Sequence, residues 1–404
     1  MTSVATKWAL KSLGDVAAKV PYAIVDGPFG SNMKSSDYVA SGVPVLQGKN
    51  ITNDLFRWFD IRYLSNEKAI ELKRSSVRVD DILLVKIGSI GYAAVIDSLA
   101  GHDYAIIPAN LAKITPNKDL IDTRYLFRWL TSPDTKRYFQ SNASKTAQPA
   151  LSLGKIKALP ILVPPLPEQR RIAAILDQAD ALRAKRREAL AQLDSLTQSI
   201  FIEMFGDPVE NSKGWPILPF GSQFESVRYG TGSPPPYVEN GIPFIRATNI
   251  KAGRVNTKDL KNISADDAKK LSKCKVNYGN IIVVRSGVNT GDCAVIPAEY
   301  AGSCAAFDLI VDIKYLNAIF FAFLINSEYG RRILEPLTRR AAQPHLNAEQ
   351  LRSLPLMAPP EQLRREFSKR IDAVEAIRVT HIGALAELDT LFASLQHRAF
   401  QGEL

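Results

Sequence analysis

Cysteine and histidine are scarce in this chain: three of one and four of the other in 404 residues. Cys274, Cys293 and Cys304 all fall in the second half, and none lies near His102, His345, His381 or His397. An odd number of cysteines without paired spacing excludes a disulfide framework and points to reduced thiols in a cytosol. The scattered histidines exclude the clustered ligand spacing of a zinc site. No apolar run approaches the length of a membrane span, and the first residues lack a continuous apolar stretch of the secretory kind. The expectation is a soluble cytoplasmic protein with no membrane partner.

Catalytic vocabulary is also missing. Ser233-Pro234-Pro235-Pro236-Tyr237 has the outline of the x-Pro-Pro-Tyr motif of amino-group DNA methyltransferases. That chemistry needs an Asp, Asn or Ser oxygen directly before Pro-Pro-Tyr to hold the target amine. Pro234 has none, and no glycine-rich turn for S-adenosylmethionine accompanies it. Between Gly42 and Asn50 the second glycine of a phosphate-binding loop comes one position late, at Gly48, and Lys49 is followed by Asn50 rather than a hydroxyl residue. Glu71-Leu72-Lys73 has the spacing of a nuclease fragment, yet sits in a polar helical stretch without a partner Asp. The chain is expected to be non-catalytic, with no catalytic residue, metal or cofactor of its own.

What the sequence does contain is charge and repetition. Lys and Arg number 51 against 41 Asp and Glu, a net charge of +10, which favours a polyanionic partner such as nucleic acid. A proline-hinged passage occurs twice. Gln148-Pro149, Leu159-Pro160, Pro164-Pro165 and a helical pattern ending near Phe205 return as Gln343-Pro344, Leu354-Pro355, Pro359-Pro360 and a second pattern ending near Phe400. Each landmark keeps an offset of 195 residues. Upstream of each passage the match loosens to an offset of about 199, as between Gly42-Val43-Pro44-Val45-Leu46 and Gly241-Ile242-Pro243-Phe244-Ile245. A period this long marks two copies of one whole unit rather than a solenoid.

Each unit reads as mixed α/β (α+β) followed by a long helix. Asp81 to Val85 predicts a strand, with Tyr92 to Ile96 its hairpin partner across Gly88-Ser89-Ile90-Gly91. Tyr125 to Leu130 predicts a helix. The counterparts in the second copy are Asn280 to Val284 and the turn Gly287-Val288-Asn289-Thr290-Gly291, longer by one residue. In the long helices the apolar steps of three and four give coiled-coil-like stripes: Ile172, Leu176, Leu182, Leu193 and Ile200 in the first, Phe367, Ile371, Val374, Leu388 and Leu395 in the second. These ten residues are assigned to partner-helix packing. At about 1.5 Å per residue each helix reaches roughly 50–60 Å, too long to bury its stripe against a small domain alone. Pairing of the two helices is the economical solution. The short linker from Gly206 to Pro216 leads straight into the second unit and favours an antiparallel coiled coil. The expected organisation is a first globular domain over 1–147, a hinge and long helix over 148–206, a second globular domain over 207–342 and a second hinge and helix over 343–404.

Matching loops of the two copies carry amide, hydroxyl and basic groups, the chemistry that reads phosphates and base edges. Ser31, Lys34, Lys49, Asn50, Lys86, Ser89, Lys145 and Gln148 are the candidates in the first copy. Thr231, Arg246, Asn249, Arg285, Ser286, Arg340 and Gln343 are those in the second. Such runs also serve as ordinary turns. As a set they recur at matching places with different identities, as two readers of different DNA words on one scaffold would.

Pro164-Pro165-Leu166-Pro167-Glu168-Gln169-Arg170-Arg171-Ile172-Ala173-Ala174-Ile175-Leu176-Asp177 closely resembles the start of the central conserved helix of specificity subunits of type I restriction–modification systems. Asp26-Gly27-Pro28-Phe29-Gly30-Ser31 and the Gly42 to Leu46 strand resemble that family's target-recognition domains. The second copy departs from the motif, reading Pro359-Pro360-Glu361-Gln362 without Leu-Pro. The resemblance implies a DNA-binding specificity subunit whose two target-recognition domains each read one half of a split site in double-stranded DNA. It also implies paired helices that set the spacing and two modification subunits that use S-adenosylmethionine for DNA methylation. Restriction subunits using ATP and Mg²⁺ complete the implied complex. The alternatives are a subunit with its own DNA methyltransferase or nuclease activity, and a coiled-coil scaffold that binds DNA without sequence preference.

Overall fold

The structure is a computed structural model that describes residues 8–28, 32–251, 253–338 and 345–404. The chain divides into two compact units: residues 1–186 with 384–404, and residues 187–383. In each, the elements follow from the hinge prolines. Pro164-Pro165 directly precedes the helix Leu166–Phe205, which ends at Gly206, where φ is +78° and the N–H caps the Ile202 carbonyl at 2.8 Å. Pro359-Pro360 likewise precedes the helix Glu361–Gln401, which ends at Gly402 with φ +75°. At 40 and 41 residues the two helices have the expected length.

In the first unit a four-stranded antiparallel sheet runs Ala93–Val95, Ile82–Val85, Leu111–Ile114, Ile24–Asp26. The expected hairpin is present, with Leu84 opposite Ala93. Every residue of Ile82–Val85 is buried because the strand is covered on both faces. Ile82 and Leu84 join a core with the helix Thr123–Leu130, while Leu83 and Val85 join another with Leu46, Ile51, Val77 and Ile107. A second, five-stranded sheet contains Val43–Val45 beside Ala105–Ile106 in parallel.

The second unit repeats this plan with one strand fewer in its second sheet, where the counterpart of Ser76–Val77 is reduced to a single bridge between Lys275 and Cys304. Its sheets run Cys293–Val295, Ile281–Val283, Leu309–Asp312, Ser226–Tyr229 and Tyr237–Val238, Lys261–Ile263, Ile242–Ile245, Cys304–Ala305, the last pair again parallel. The mixed α/β expectation holds in both copies.

The long helices pack on each other and on the globular cores, running antiparallel within each unit. In the first, Arg171 donates to the Leu404 carbonyl at 2.7 Å and Arg183 meets Asp389 at 2.6 Å. Ala399 and Phe400 from the second helix complete that unit's core, the Phe400 ring lying 4.7 Å from Trp129. In the second unit Arg378 meets Asp194 at 2.8 Å, and the rings of Phe201 and Phe205 lie 5.6 and 5.5 Å from Phe367. Ile172, Leu176, Phe367, Ile371 and Val374 are buried as expected, and Leu193, Ile200, Leu388 and Leu395 are half-buried. Leu182 is a correction: it is 52% exposed. At that level the helix turns Arg183 inward instead, to Asp389 and over the Phe392 ring at 4.3 Å.

The hinge motif has a structural use. Gln169 is fully buried, its carbonyl accepting the Asp122 N–H at 2.7 Å and its amide donating to Pro164 and Leu120. One turn before the helix Thr123–Leu130 ends, Arg128 is buried against Asp177 and Asp180 at 2.6 and 2.9 Å, and its own carbonyl accepts from Gln396 at 3.0 Å. One arginine thus ties the first globular core to both long helices. Replacing Arg128 with Ala is expected to cost about 2–3 kcal/mol, because part-buried Asp177 loses its cation, Asp180 keeps only Arg183 at 2.8 Å, and Gln396 loses the packing around its bond. Chemical denaturation measures this.

Candidate nucleic-acid interface

The strand ends of each sheet gather loops that are far apart in sequence. In the first unit Gly27 presses so closely on Ile107 and Pro108 that a Cβ would fall 2.0 Å from the Ile107 carbonyl oxygen. Gly48 similarly abuts the Asn110 amide. The Asn110 carbonyl accepts the Lys86 N–H at 2.9 Å, and the Lys86 carbonyl accepts the Leu151 N–H at 2.9 Å. These contacts place the Gly88 to Gly91 turn beside the segment 144–150. Exposed Ser89, Lys145 and Gln148 therefore share one region. Lys34 is exposed on another loop, and exposed Lys49 pairs with Asp60, holding that carboxyl below its ordinary range.

The second unit builds the same junction from different chemistry. Gly230 lies against Ala305 and Ala306 too closely for any Cβ, and Thr231 N–H donates to Ala305. Arg285 passes its carbonyl to the Leu346 N–H at 2.9 Å, as Lys86 does to Leu151. Its guanidinium stacks between Tyr229 and Phe307, 4.6 and 4.3 Å from the ring centres, and donates to His345 Nε2 at 3.1 and 2.8 Å. Nε2 thus acts as an acceptor. The Asp308 carboxyl beneath accepts the Arg285 N–H at 3.1 Å, while burial pushes that carboxyl upward. Ser286 bridges His345 through the backbone. Thr231 exchanges hydrogen bonds with Ser233, and Arg246 is paired with Asp259 at 3.0 Å. That carboxyl is lowered first by Lys261 and then by Arg246.

Three expected DNA contacts are corrected by burial. Asn50 and Asn249 have no exposure. Each accepts the N–H three residues earlier, at Gln47 and Arg246, and donates to carbonyls of the following loop. They shape the turn and have no group left to reach a base. Lys86 is also buried, on Asp26 at 2.5 Å. Ser31, Arg340 and Gln343 lie outside the described residues. Sequence reasoning missed Tyr229, Phe307 and His345. The available signal was an aromatic interleaved with basic loops: Tyr229 directly follows Arg228, and Phe307 directly precedes Asp308.

A duplicated α/β scaffold with polar and basic loops at matching strand ends and paired long helices defines a protein of two like units. The sequence profile of the type I restriction modification DNA specificity domain matches residues 6–192 and 235–389, and the chain belongs to that family. It is similar to the EcoBI specificity subunit of Escherichia coli, with 27% identity over 177 residues, which are 43% of this chain and 37% of that subunit. The matched stretch thus spans little more than a third of that relative. Similarity to the EcoKI specificity subunit of Escherichia coli K12 is 21% over 412 residues, covering 92% of this chain and 84% of that one. In fold, the chain is similar to the S subunit of the type I restriction-modification system from M. genitalium, with a TM-score of 0.58, 13% identity and coverage of 98% and 96%.

Proposed function

We propose that this chain is the DNA specificity subunit of a type I restriction–modification complex. Residues 1–147 and 207–342 each read one half of a split, asymmetric site in double-stranded DNA. The hinges and helices of 148–206 and 343–404 set the spacing and offer matching surfaces to two modification subunits. Those subunits bring S-adenosylmethionine, restriction subunits bring ATP and Mg²⁺, and the chain itself supplies recognition without catalysis.

The observation that carries this reading is the contrast between a repeated frame and unrepeated loop ends. Both units have the same strand order and the same buried asparagine turn, yet Lys86 on Asp26 in one answers to Arg285 between two aromatic rings in the other. Non-specific phosphate binding needs charge but no such divergence. A rigid frame with differing tips suits two different base sequences.

Methylome sequencing of a host expressing this chain with its modification partner is expected to show one bipartite motif. Exchanging residues 1–147 for another recognition domain should change one half only. Methylation without sequence preference overturns the reading. The purified chain alone, given labelled S-adenosylmethionine or Mg²⁺ with DNA, should show no turnover.

A further inference from the structure

The turn after Ile281–Val283 differs from its counterpart in one way that the frame does not explain. Both turns are bounded by glycines in left-handed conformations, Gly88 and Gly91 at φ +91° and Gly287 and Gly291 at +97° and +94°. Both carry one branched apolar residue between them. In the first unit that residue, Ile90, folds back and packs against the main core. In the second, the turn is one residue longer and its apolar residue, Val288, points wholly outward at 104% relative exposure. The backbone is fixed rather than loose: Thr290 N–H and hydroxyl both reach the Gly287 carbonyl, at 3.1 and 2.7 Å, and Asp292 N–H reaches that of Asn289.

We infer that Val288 is a specificity-determining residue that makes van der Waals contact with the 5-methyl group of a thymine in the half-site read by the second unit. The inference rests on the proposed DNA-reading function. Val288 stands three residues from half-buried Arg285, whose ring partners Tyr229 and Phe307 are 42% and 44% exposed, so the turn adjoins a surface with apolar and cationic character. Its side chain has no hydrogen-bonding group and little rotamer freedom. The major groove offers one feature that such a group can read, the thymine methyl, and the groove admits a two-stranded ribbon such as this hairpin. The inward Ile90 leaves the first unit without the equivalent contact, which makes the two readers differ at matched positions.

The test uses the full chain with its modification subunits and duplexes of the mapped site. Each thymine is replaced in turn by deoxyuridine, which lacks only the methyl group. At one thymine, in the half that changes when residues 207–342 are exchanged, the replacement should weaken wild-type binding about fourfold, the worth of one buried methyl. Val288→Ser should bind both duplexes equally, and because Val288 leans on nothing in the fold the variant should melt like wild type. A series in which no methyl matters, or in which Val288→Ser keeps the same sensitivity, overturns the inference while the mapped site stands. So does a variant that binds both duplexes as wild type does but methylates poorly, because Val288 would then meet a protein. If the wild-type complex shows no sequence preference at all, the specificity reading falls and the inference falls with it.

Discussion

Removing seven residues from each long helix, 185–191 from the first and 381–387 from the second, should shorten the gap between the two half-sequences by about three base pairs. Seven residues are about two turns and roughly 10 Å of helix, against about 3.4 Å per base pair. Two turns return the remaining side chains almost to their original faces, within about 20°. The excised segments avoid the ion pairs that fix the antiparallel register: Arg183 with Asp389 in the first unit, Arg378 with Asp194 in the second. Both half-sequences should be unchanged, because no loop of the candidate interface is touched. Methylation mapping reads the outcome, and an unchanged gap rejects the helices as a ruler. Shortening one helix alone should instead be destabilising, since it slides buried Phe367 or Ile172 out of register with its neighbours.

The second large effect is expected from Phe367→Ala. Phe367 is fully buried where the rings of Phe201 and Phe205 from the first helix meet those of Phe320 and Phe323, with centres 5.5–6.2 Å from its own. Removing the ring deletes its burial and its edge-on contacts and leaves a cavity among residues that cannot close over it. The cost should be about 3–5 kcal/mol. Denaturation monitored by circular dichroism measures it, and recognition by the second unit should weaken more than that by the first. Leu182→Ala is the contrast from the same sequence pattern. With its side chain half in solvent it should change stability by no more than about 0.5 kcal/mol, and a loss above 2 kcal/mol would contradict the exposed position.

These two residues show what sequence makes legible. Helical period, hinge prolines, terminal glycines and the duplication are local signals, and they located both long helices, the hairpins and the repeat. Period alone does not say which face meets which neighbour. Leu182 fits the apolar stripe, but the partner helix offers Asp389 and Phe392 at that level, and Arg183 satisfies both. The candidate interface was legible as a set of loops and illegible residue by residue. Asn50 and Asn249 have the side chain that pairs with adenine, and the same carboxamide suits a turn whose backbone groups are buried. Sequence does not tell the two uses apart; only the carbonyls and N–H groups surrounding each asparagine do. Lys86 was misplaced because its counter-ion, Asp26, lies sixty residues earlier, two strands away in the same sheet.

The tail of the second helix, residues 384–404, belongs to the first unit. In order of synthesis, that unit is begun before the second unit and finished after it. Tyr125 and Trp129 emerge long before Phe400, the ring that covers them. At about 5–20 residues per second, the roughly 270 residues between Trp129 and Phe400 take on the order of 15–50 s to translate. The whole second unit is made in that interval, while the earlier one holds an uncovered aromatic patch. Residues 384–404 act as its closing piece, so assembly competence of the earlier unit waits on a segment made after the whole of the later one.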